Sequence, residues 1–243
     1  LSSVTKGPGK SLHVNTVYSE PDGKLWLGTR SNGLFIINDD YTFKKVGYVN
    51  YAGGNRFKRF MVKDIYKDSY GQIWVAQSED LSLVSTNNKG QKILVNISEV
   101  YNDTFSSVRK VLDIIEYNGL LWIATQQEGL HVFQRVGDQY EFVRRLHRND
   151  PYNSFQDNRI STLSVDHDNN LWIGTYKGIY LMRNNDSIPV EITSLIENKD
   201  KLLCDIILST HIDKNNNVWF GTPCSLNRRS EEHTSELQSL LII

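Results

Sequence analysis

The sequence predicts an all-β protein, a β-propeller of four-stranded antiparallel blades, and three observations carry that prediction. Tryptophans recur at intervals of 48, 48, 50 and 47 residues, as repeats with one shared environment do. Each lies in the same short pattern of acidic, turn, apolar and small residues. The segments around them, such as VNTVYS, LWIGT and GLHVF, are rich in β-branched and aromatic residues and lack helical spacing. The tryptophans are Trp26, Trp74, Trp122, Trp172 and Trp219.

The first two strands of each repeat are predicted from the residues that precede the tryptophan. An acidic residue stands six positions before it, and Gly or Asn stands three positions before it. Gly and Asn adopt a left-handed backbone at little cost, so they indicate a tight turn between two strands, which the acid begins. The acids are Glu20, Asp68, Glu116, Asp166 and Asp213, and the turn residues are Gly23, Gly71, Gly119, Asn169 and Asn216.

The second strand carries the tryptophan, and a third strand follows after a short turn. A small residue lies two positions after each tryptophan, which indicates close approach of a neighbouring sheet. Thr follows it in four copies and Gln77 in one. The third strand is predicted at segments such as Leu34–Ile37, Leu130–Phe133 and Ile179–Leu181. We interpret the tryptophans as core anchors between blades rather than as ligand-stacking residues.

A fourth, less regular strand completes each repeat, for example Thr42–Val49 or Tyr140–Leu146. Four short strands in about 48 residues is the size of one propeller blade. The chain is therefore expected to contain four full blades and part of a fifth. The predicted blade boundaries are about 11–58, 59–106, 107–156, 157–202 and 203–228.

The composition excludes several classes of protein. With 27 Lys+Arg against 28 Asp+Glu the formal net charge is −1, so no general attraction to nucleic acid or anionic membrane is expected. The short basic cluster around Arg56 and Lys58 is interpreted as a solvated connection between blades. No apolar run is long enough to span a membrane. Cys204 and Cys224 are too few for a disulfide framework and do not indicate a compartment.

The motifs DSYGQIWVA, DHDNNLWIGTYKGIYL and DGKLWLGTRSNGLFII resemble the two-component regulator propeller repeat, and the copy from Asn158 to Met182 resembles it most. In that family the repeats build seven-bladed propellers in the periplasmic sensor part of hybrid histidine kinases. Many of these sensors detect oligosaccharides in Bacteroides-type bacteria. The resemblance implies a periplasmic sensor whose partners are an oligosaccharide or other small ligand, the remaining blades and kinase region of a longer chain, and a second copy in a homodimer.

The C-terminal stretch RSEEHTSELQS, from Arg229 to Ser239, resembles the in-frame translation of a common sequencing adapter. It begins where the third strand of the fifth repeat is expected. We therefore treat 229–243 as a segment foreign to the native protein.

No catalytic constellation, metal site or cofactor motif is predicted. The histidines are scattered, and the DHDNN and DKNNN turns lack the residues that a calcium loop requires. The main enzymatic alternative is a propeller glycosidase or another polysaccharide-active enzyme. The Asp-box spacing of sialidases differs from the spacing seen here, which disfavours that alternative. A protein-interaction scaffold stays open as a second alternative.

The predicted ligand-binding residues lie in the turn after each small-Thr pair and in the long connections between blades. In a propeller both kinds of segment lie on one face around the central channel. Their polar groups suit sugar hydroxyls, and their aromatic rings suit stacking on a pyranose. The residues are Arg30, Asn32, Gln77, Glu79, Gln126, Glu128, Tyr152, Phe155, Tyr176 and Lys177.

Overall fold

The predicted all-β fold of propeller blades is confirmed by a computed structural model. It describes residues 12–38, 41–48, 61–78, 80–150, 155–184, 186–193 and 204–229. The strands of this part of the chain form five sheets, and neighbouring strands in each sheet are consecutive in the sequence except where Gly47–Tyr48 pairs with Lys92–Asn96. We number the sheets blades 1 to 5. No helix among the described residues is long and apolar enough to cross a membrane.

Blades 1 and 2 occupy the first half of the chain. Blade 1 contains β1 (Val14–Ser19), β2 (Leu25–Thr29), β3 (Leu34–Ile37) and β4 (Phe43–Lys45). Blade 2 contains β5 (Gly47–Tyr48), β6 (Val62–Lys67), β7 (Ile73–Gln77), β8 (Leu81–Thr86) and β9 (Lys92–Asn96). A short helix α1 (Ile97–Tyr101) and a 3-10 turn (Asn102–Phe105) follow.

Blades 3, 4 and 5 follow the same order. Blade 3 contains β10 (Val111–Tyr117), β11 (Leu120–Thr125), β12 (Leu130–Val136) and β13 (Gln139–Leu146). Blade 4 contains β14 (Ile160–Val165), β15 (Leu171–Thr175), β16 (Gly178–Met182) and β17 (Val190–Glu191). Blade 5 contains three described strands, β18 (Ser209–Ile212), β19 (Val218–Gly221) and β20 (Leu226–Arg229). Arg229 thus pairs within a blade, and residues 230–243 lie outside the described residues.

The chain divides into two compact units, each with its own core. The first unit contains residues 1–114 and 137–140, and the second contains 115–136 and 141–243. In the first unit Trp26 and Leu34 of blade 1 pack with Val62 and Ile65 of blade 2. In the second unit Trp122 packs with blade 4 residues. Trp172 packs there with Ile207 and Phe220 of blade 5. The four tryptophans of blades 1 to 4 are at most 2% exposed, as expected of core anchors.

The small residues after the tryptophans fit the close approach of the next blade. A Cβ added to Gly28 would collide with the Val62 side chain of blade 2, and one added to Gly174 would collide with Ile207 of blade 5. The predicted left-handed turn positions also have positive φ, from 60° at Asn169 to 88° at Gly23.

The acid at the start of the turn has a second role that the sequence did not reveal. In four copies one carboxylate oxygen accepts the indole N–H of the tryptophan six residues later, at 2.7 to 2.9 Å. In the three Asp copies the other oxygen accepts backbone N–H groups of the turn. One carboxylate therefore fixes both the turn and the buried ring.

In the third copy the prediction that Glu116 begins the turn is wrong. Its hairpin is closed by Asn118 and Gly119 alone, both with positive φ, which is the two-residue turn that matches strand twist. Glu116 therefore lies inside β10. The Trp122 indole donates to the Tyr117 backbone oxygen at 3.2 Å.

The fourth strand of blade 1 also differs from the expected Thr42–Val49. It ends at Lys45, and the chain then continues as β5, which pairs in parallel with β9 at the outer edge of blade 2. β5 thereby pairs part of this edge, at Ile93 and Leu94.

Candidate ligand-binding edge

In four of the five blades the turn between the second and third strands is closed by the threonine that follows the small residue. Each hydroxyl donates to a carbonyl oxygen three or four residues later, at 2.7 to 3.0 Å, and accepts a backbone N–H of the same turn. The four residues are Thr29, Thr125, Thr175 and Thr222. We call the edge of each sheet that contains this turn the GT-turn edge.

The start of the first strand lies at the same edge of its blade. The Arg30 N–H donates to the His13 carbonyl at 2.8 Å, and the Tyr176 N–H donates to the Arg159 carbonyl at 3.1 Å. The fourth strand of blade 3 ends at this edge too, because a Cβ added to Gly129 in the turn would meet the backbone oxygen of Leu146. The connection that follows returns to the same turn, where the Gly129 N–H donates to the Asn158 carbonyl. Antiparallel order thus brings the predicted turns and connections to one edge within each unit.

The predicted residues differ in how far they reach solvent at this edge. Arg30, Gln126 and Lys177 are exposed, and Asn32, Glu128 and Tyr176 are half-buried. These six have the accessibility that ligand contact requires. Glu79 and Tyr152 lie outside the described residues.

Gln77 and Phe155 are corrections to the predicted set, because both are buried. The Gln77 side-chain amide donates to the Ser82 hydroxyl at 3.1 Å inside blade 2. The Phe155 ring packs edge-on against Tyr180 with centroids 4.7 Å apart. The connection that contains Phe155 turns inward, so its aromatic residue fills the core of the second unit.

In the second unit, two arginines that the sequence analysis did not select hold the exposed groups of this edge. Arg145 forms an ion pair with Glu128 at 3.2 Å. Arg159 donates to both oxygens of Asp157, and its guanidinium lies over the Tyr176 ring, 4.5 Å from the centroid. The hydrogen bond from Arg159 lowers the pKa of Asp157 below its usual range.

The position of these arginines in the sequence could have identified them as residues of this edge. Arg145 lies near the end of the fourth strand and Arg159 lies just before the first strand of the next blade. Both positions fall at the GT-turn edge by strand order alone. Together they produce a polar surface with a preoriented aromatic ring, an arrangement that suits hydrogen bonding to a hydroxyl-rich ligand.

A carboxyl pair joins two blades in the first unit. The Ile114 N–H donates to both Asp64, at 3.1 Å, and Asp113, at 2.8 Å. Burial, opposed by hydrogen bonds from the Ile65 and Ile114 N–H groups and from Asp113, raises the pKa of Asp64 to about 6. Asp64 therefore takes up a proton as the pH falls to about 6. The described residues hold no group of three or more His, Cys, Asp or Glu arranged for a metal ion.

The fold places this chain in the class of β-propellers built of repeated blades. Comparison with known protein families agrees, because residues 154–177 match the family model described as two component regulator propeller. The resemblance stated from the sequence is thereby confirmed. No curated protein sequence matches the chain.

Solved structures show the same fold at low sequence identity. The extracellular domain of a putative hybrid two component system from B. thetaiotaomicron has a TM-score of 0.70 and 18% identity, over 91% of this chain and 28% of that one. The extracellular domain of a putative one component system from the same organism has a TM-score of 0.64 and 20% identity, over 92% and 28%.

An enzyme shares the fold as well. A gluconolactonase from Xanthomonas campestris has a TM-score of 0.59 and 13% identity, over 88% of this chain and 71% of that one. The chain spans little more than a quarter of the length of the two sensor domains. At these identities the likeness concerns the fold alone.

Proposed function

We propose that this chain is part of the ligand-sensing propeller of a two-component regulatory protein, outside the cytoplasmic membrane, and that it binds an oligosaccharide. The observation that carries the proposal is the repeat match at residues 154–177, which ends inside the turn that presents Tyr176 and Lys177. The repeat match and part of the candidate surface therefore lie in one segment, which supports the proposal. A histidine kinase in the same longer protein would read the bound state.

The binding surface is the GT-turn edge of the second unit. Tyr176 offers a half-buried ring whose orientation Arg159 holds, and we expect this ring to stack on a sugar. Gln126, Glu128 and Lys177 supply donors and acceptors around it. The bond between Cys204 and Cys224, with Cα atoms 6.0 Å apart, supports an oxidising compartment such as the periplasm.

The test is calorimetric titration of the chain with a panel of neutral and acidic oligosaccharides. For the oligosaccharide that binds, Tyr176→Ala should weaken affinity about tenfold or more, because stacked aromatic residues dominate such contacts. Lys177→Ala should weaken it less. Lys214→Ala is the matched control, since Lys214 is exposed in the turn at the opposite edge of its blade. This variant should bind the oligosaccharide with unchanged affinity.

Two outcomes would reject the proposal. One is that no oligosaccharide of the panel binds to the folded chain. The other is that Lys214→Ala weakens binding as much as Tyr176→Ala. Turnover of an oligosaccharide or a lactone by the chain would instead favour the polysaccharide-active or lactonase-like alternative.

A further inference from the structure

The disulfide between Cys204 and Cys224 lies at the GT-turn edge of the second unit. Cys224 belongs to the turn of blade 5, where its N–H donates to the Thr222 hydroxyl at 3.2 Å. Cys204 lies in the connection that leads into β18. The disulfide therefore joins this connection to the turn of blade 5.

The connection before β18 also contacts the turn of blade 4. The Gly178 N–H donates to the Asp205 carbonyl at 2.8 Å, and the Ile207 N–H donates to the Thr175 carbonyl at 2.9 Å. Thr175 and Gly178 enclose the two candidate ligand residues of that turn. A residue next to the disulfide thus fixes the end of the turn that we assign to ligand binding.

This contact is held on both sides of Asp205. On one side the Ile207 side chain is fully buried among apolar residues of blades 4 and 5. On the other side Cys204 is held by the disulfide. Asp205 itself is exposed and gains little from packing. Opening the disulfide removes one of these constraints, so the Asp205 carbonyl that accepts the Gly178 N–H becomes less firmly placed.

The disulfide is accessible to thiols in solution, because Cys224 is exposed. Ser31 and Lys177 occupy the same position in the turns of blades 1 and 4, two residues after the threonine. Both are exposed as well, although a further blade follows each of them within its unit. The exposure of Cys224 is therefore a property of this turn. Exposed disulfides are those that exchange readily with thiols.

We propose that the disulfide between Cys204 and Cys224 is a thiol-exchange site that controls the order of the Thr175–Gly178 turn. A thiolate of a dithiol reductant attacks the exposed Cys224 sulfur, the bond between the two cysteine sulfurs breaks, and Cys204 leaves as a thiolate that takes up a proton. The second thiol of the reductant then displaces Cys224 as a thiol. Two electrons pass to the protein, and the reductant becomes a disulfide.

The first experiment is reduction of the folded 243-residue chain with dithiothreitol, followed by alkylation and mass spectrometry. Both cysteines should become alkylated without denaturant, while circular dichroism shows that the chain stays folded. This result is expected because the attacked sulfur is exposed. A disulfide that is reduced only once the chain unfolds would overturn the proposal.

Hydrogen exchange of single amides tests the control of the turn. Reduction should speed exchange of the Gly178 amide about tenfold or more, because its acceptor on Asp205 is less firmly held. The Gly129 amide is the matched control, since it makes the corresponding hydrogen bond in blade 3, to the Asn158 carbonyl, in a connection without cysteine. Its exchange should change less than about twofold. Equal changes at Gly178 and Gly129 would show that the disulfide does not control this turn.

The double variant Cys204→Ser with Cys224→Ser separates the loss of the disulfide from other effects of the reductant. Its Gly178 amide should exchange as fast as in the reduced chain, whether or not reductant is present. A double variant that exchanges like the oxidised chain would contradict the proposal.

Ligand affinity gives a further readout, and this part of the inference rests on the proposed function. Because the turn presents Tyr176 and Lys177, the reduced chain and the double variant should bind the oligosaccharide about threefold to tenfold more weakly than the oxidised chain. Unchanged affinity would reject the link between the disulfide and ligand binding. If no oligosaccharide of the panel binds, the proposed function fails, and the alkylation and exchange measurements decide the role of the disulfide by themselves.

Discussion

At the scale of single residues, the most informative contact is the one between the turn acid and the tryptophan six residues later. Asp68 shows it fully, because one oxygen accepts two backbone N–H groups and the other accepts the Trp74 indole and the Tyr140 hydroxyl. Asp68 is 4% exposed. Buried donors of this kind are costly to leave without acceptors.

Asp68→Asn should therefore lower the free energy of unfolding by about 2 to 5 kcal/mol. The amide oxygen can still accept the N–H groups of the turn, but the buried Trp74 indole and Tyr140 hydroxyl lose their acceptor. Denaturant titration measures this. Asp213→Asn is the comparison, since the Trp219 indole that donates to Asp213 is half-buried and retains access to water. This substitution should lower the free energy of unfolding by about 1 kcal/mol or less. Equal effects of the two substitutions would contradict the explanation.

His131 predicts a dependence of stability on pH. The imidazole is fully buried on β12 beside Phe133 and Phe142, and neither nitrogen has a hydrogen-bond partner. Burial, with a smaller contribution from the Arg145 cation, lowers the pKa of His131 from 6.5 to about 4. The unfolded chain thus binds a proton more readily between pH 6.5 and 4. Acidification through this window should cost about 3 kcal/mol of stability.

His131→Leu should remove that component of the acid destabilisation. The readout is the difference in unfolding free energy between the unchanged chain and the variant at pH 7 and at pH 4.5, so that other titrating groups cancel. His167→Gln serves as the control, because His167 is exposed in a turn and should leave the difference unchanged. A pH-independent difference for His131→Leu would show that the histidine is charged or solvated in the folded protein.

At the scale of elements, the connections between blades carry features that the repeat itself does not specify. The helix α1 and the turn after it place Tyr101 and Phe105 against Trp74, and no repeat position predicts them. Asp64 and Asp113 join first strands at a position where the corresponding junction of blades 4 and 5 uses Thr162 and Thr210, 2.9 Å apart. The junction chemistry therefore varies between blades while the backbone stays the same.

The link between Cys204 and Cys224 is another such feature, and it predicts a stability difference. It ties the connection before blade 5 to the turn after β19 across 20 residues. Replacing both cysteines with serine should lower the free energy of unfolding by about 3 kcal/mol, because the unfolded chain gains the freedom of the opened loop. The measurement is denaturant unfolding in oxidising buffer. Reductant should destabilise the unchanged chain equally and leave the double variant unaffected; two free thiols in the oxidised protein would refute the link.

At the scale of the whole molecule, the chain is an array of like sheets in two compact units with nearly balanced charge. Trp26, Trp122 and Trp172 each pack against the following blade within their unit, so these junctions add to the stability of each unit.

The sequence predicted the blades well because their pattern is local. A left-handed turn residue, a tryptophan and a small residue fix each hairpin within about ten positions, and the strands formed where those residues placed them. Glu116 was misassigned because a two-residue turn replaced a longer one at equal tryptophan spacing. Gln77 and Phe155 were assigned to the ligand edge because a sequence position shows which edge a residue is near, but not whether its side chain turns inward.

The sequence by itself determined the all-β class, the repeat length, the turn positions and the edge at which the candidate site lies, since all of these follow from short-range periodicity. Only the tertiary structure decided which residues of that edge reach solvent, that Arg159 holds Tyr176, that Asp64 meets Asp113 and that Cys204 meets Cys224. The reason is physical. These contacts join residues that are distant along the chain or lie in connections outside the repeat, and packing between blades selects them.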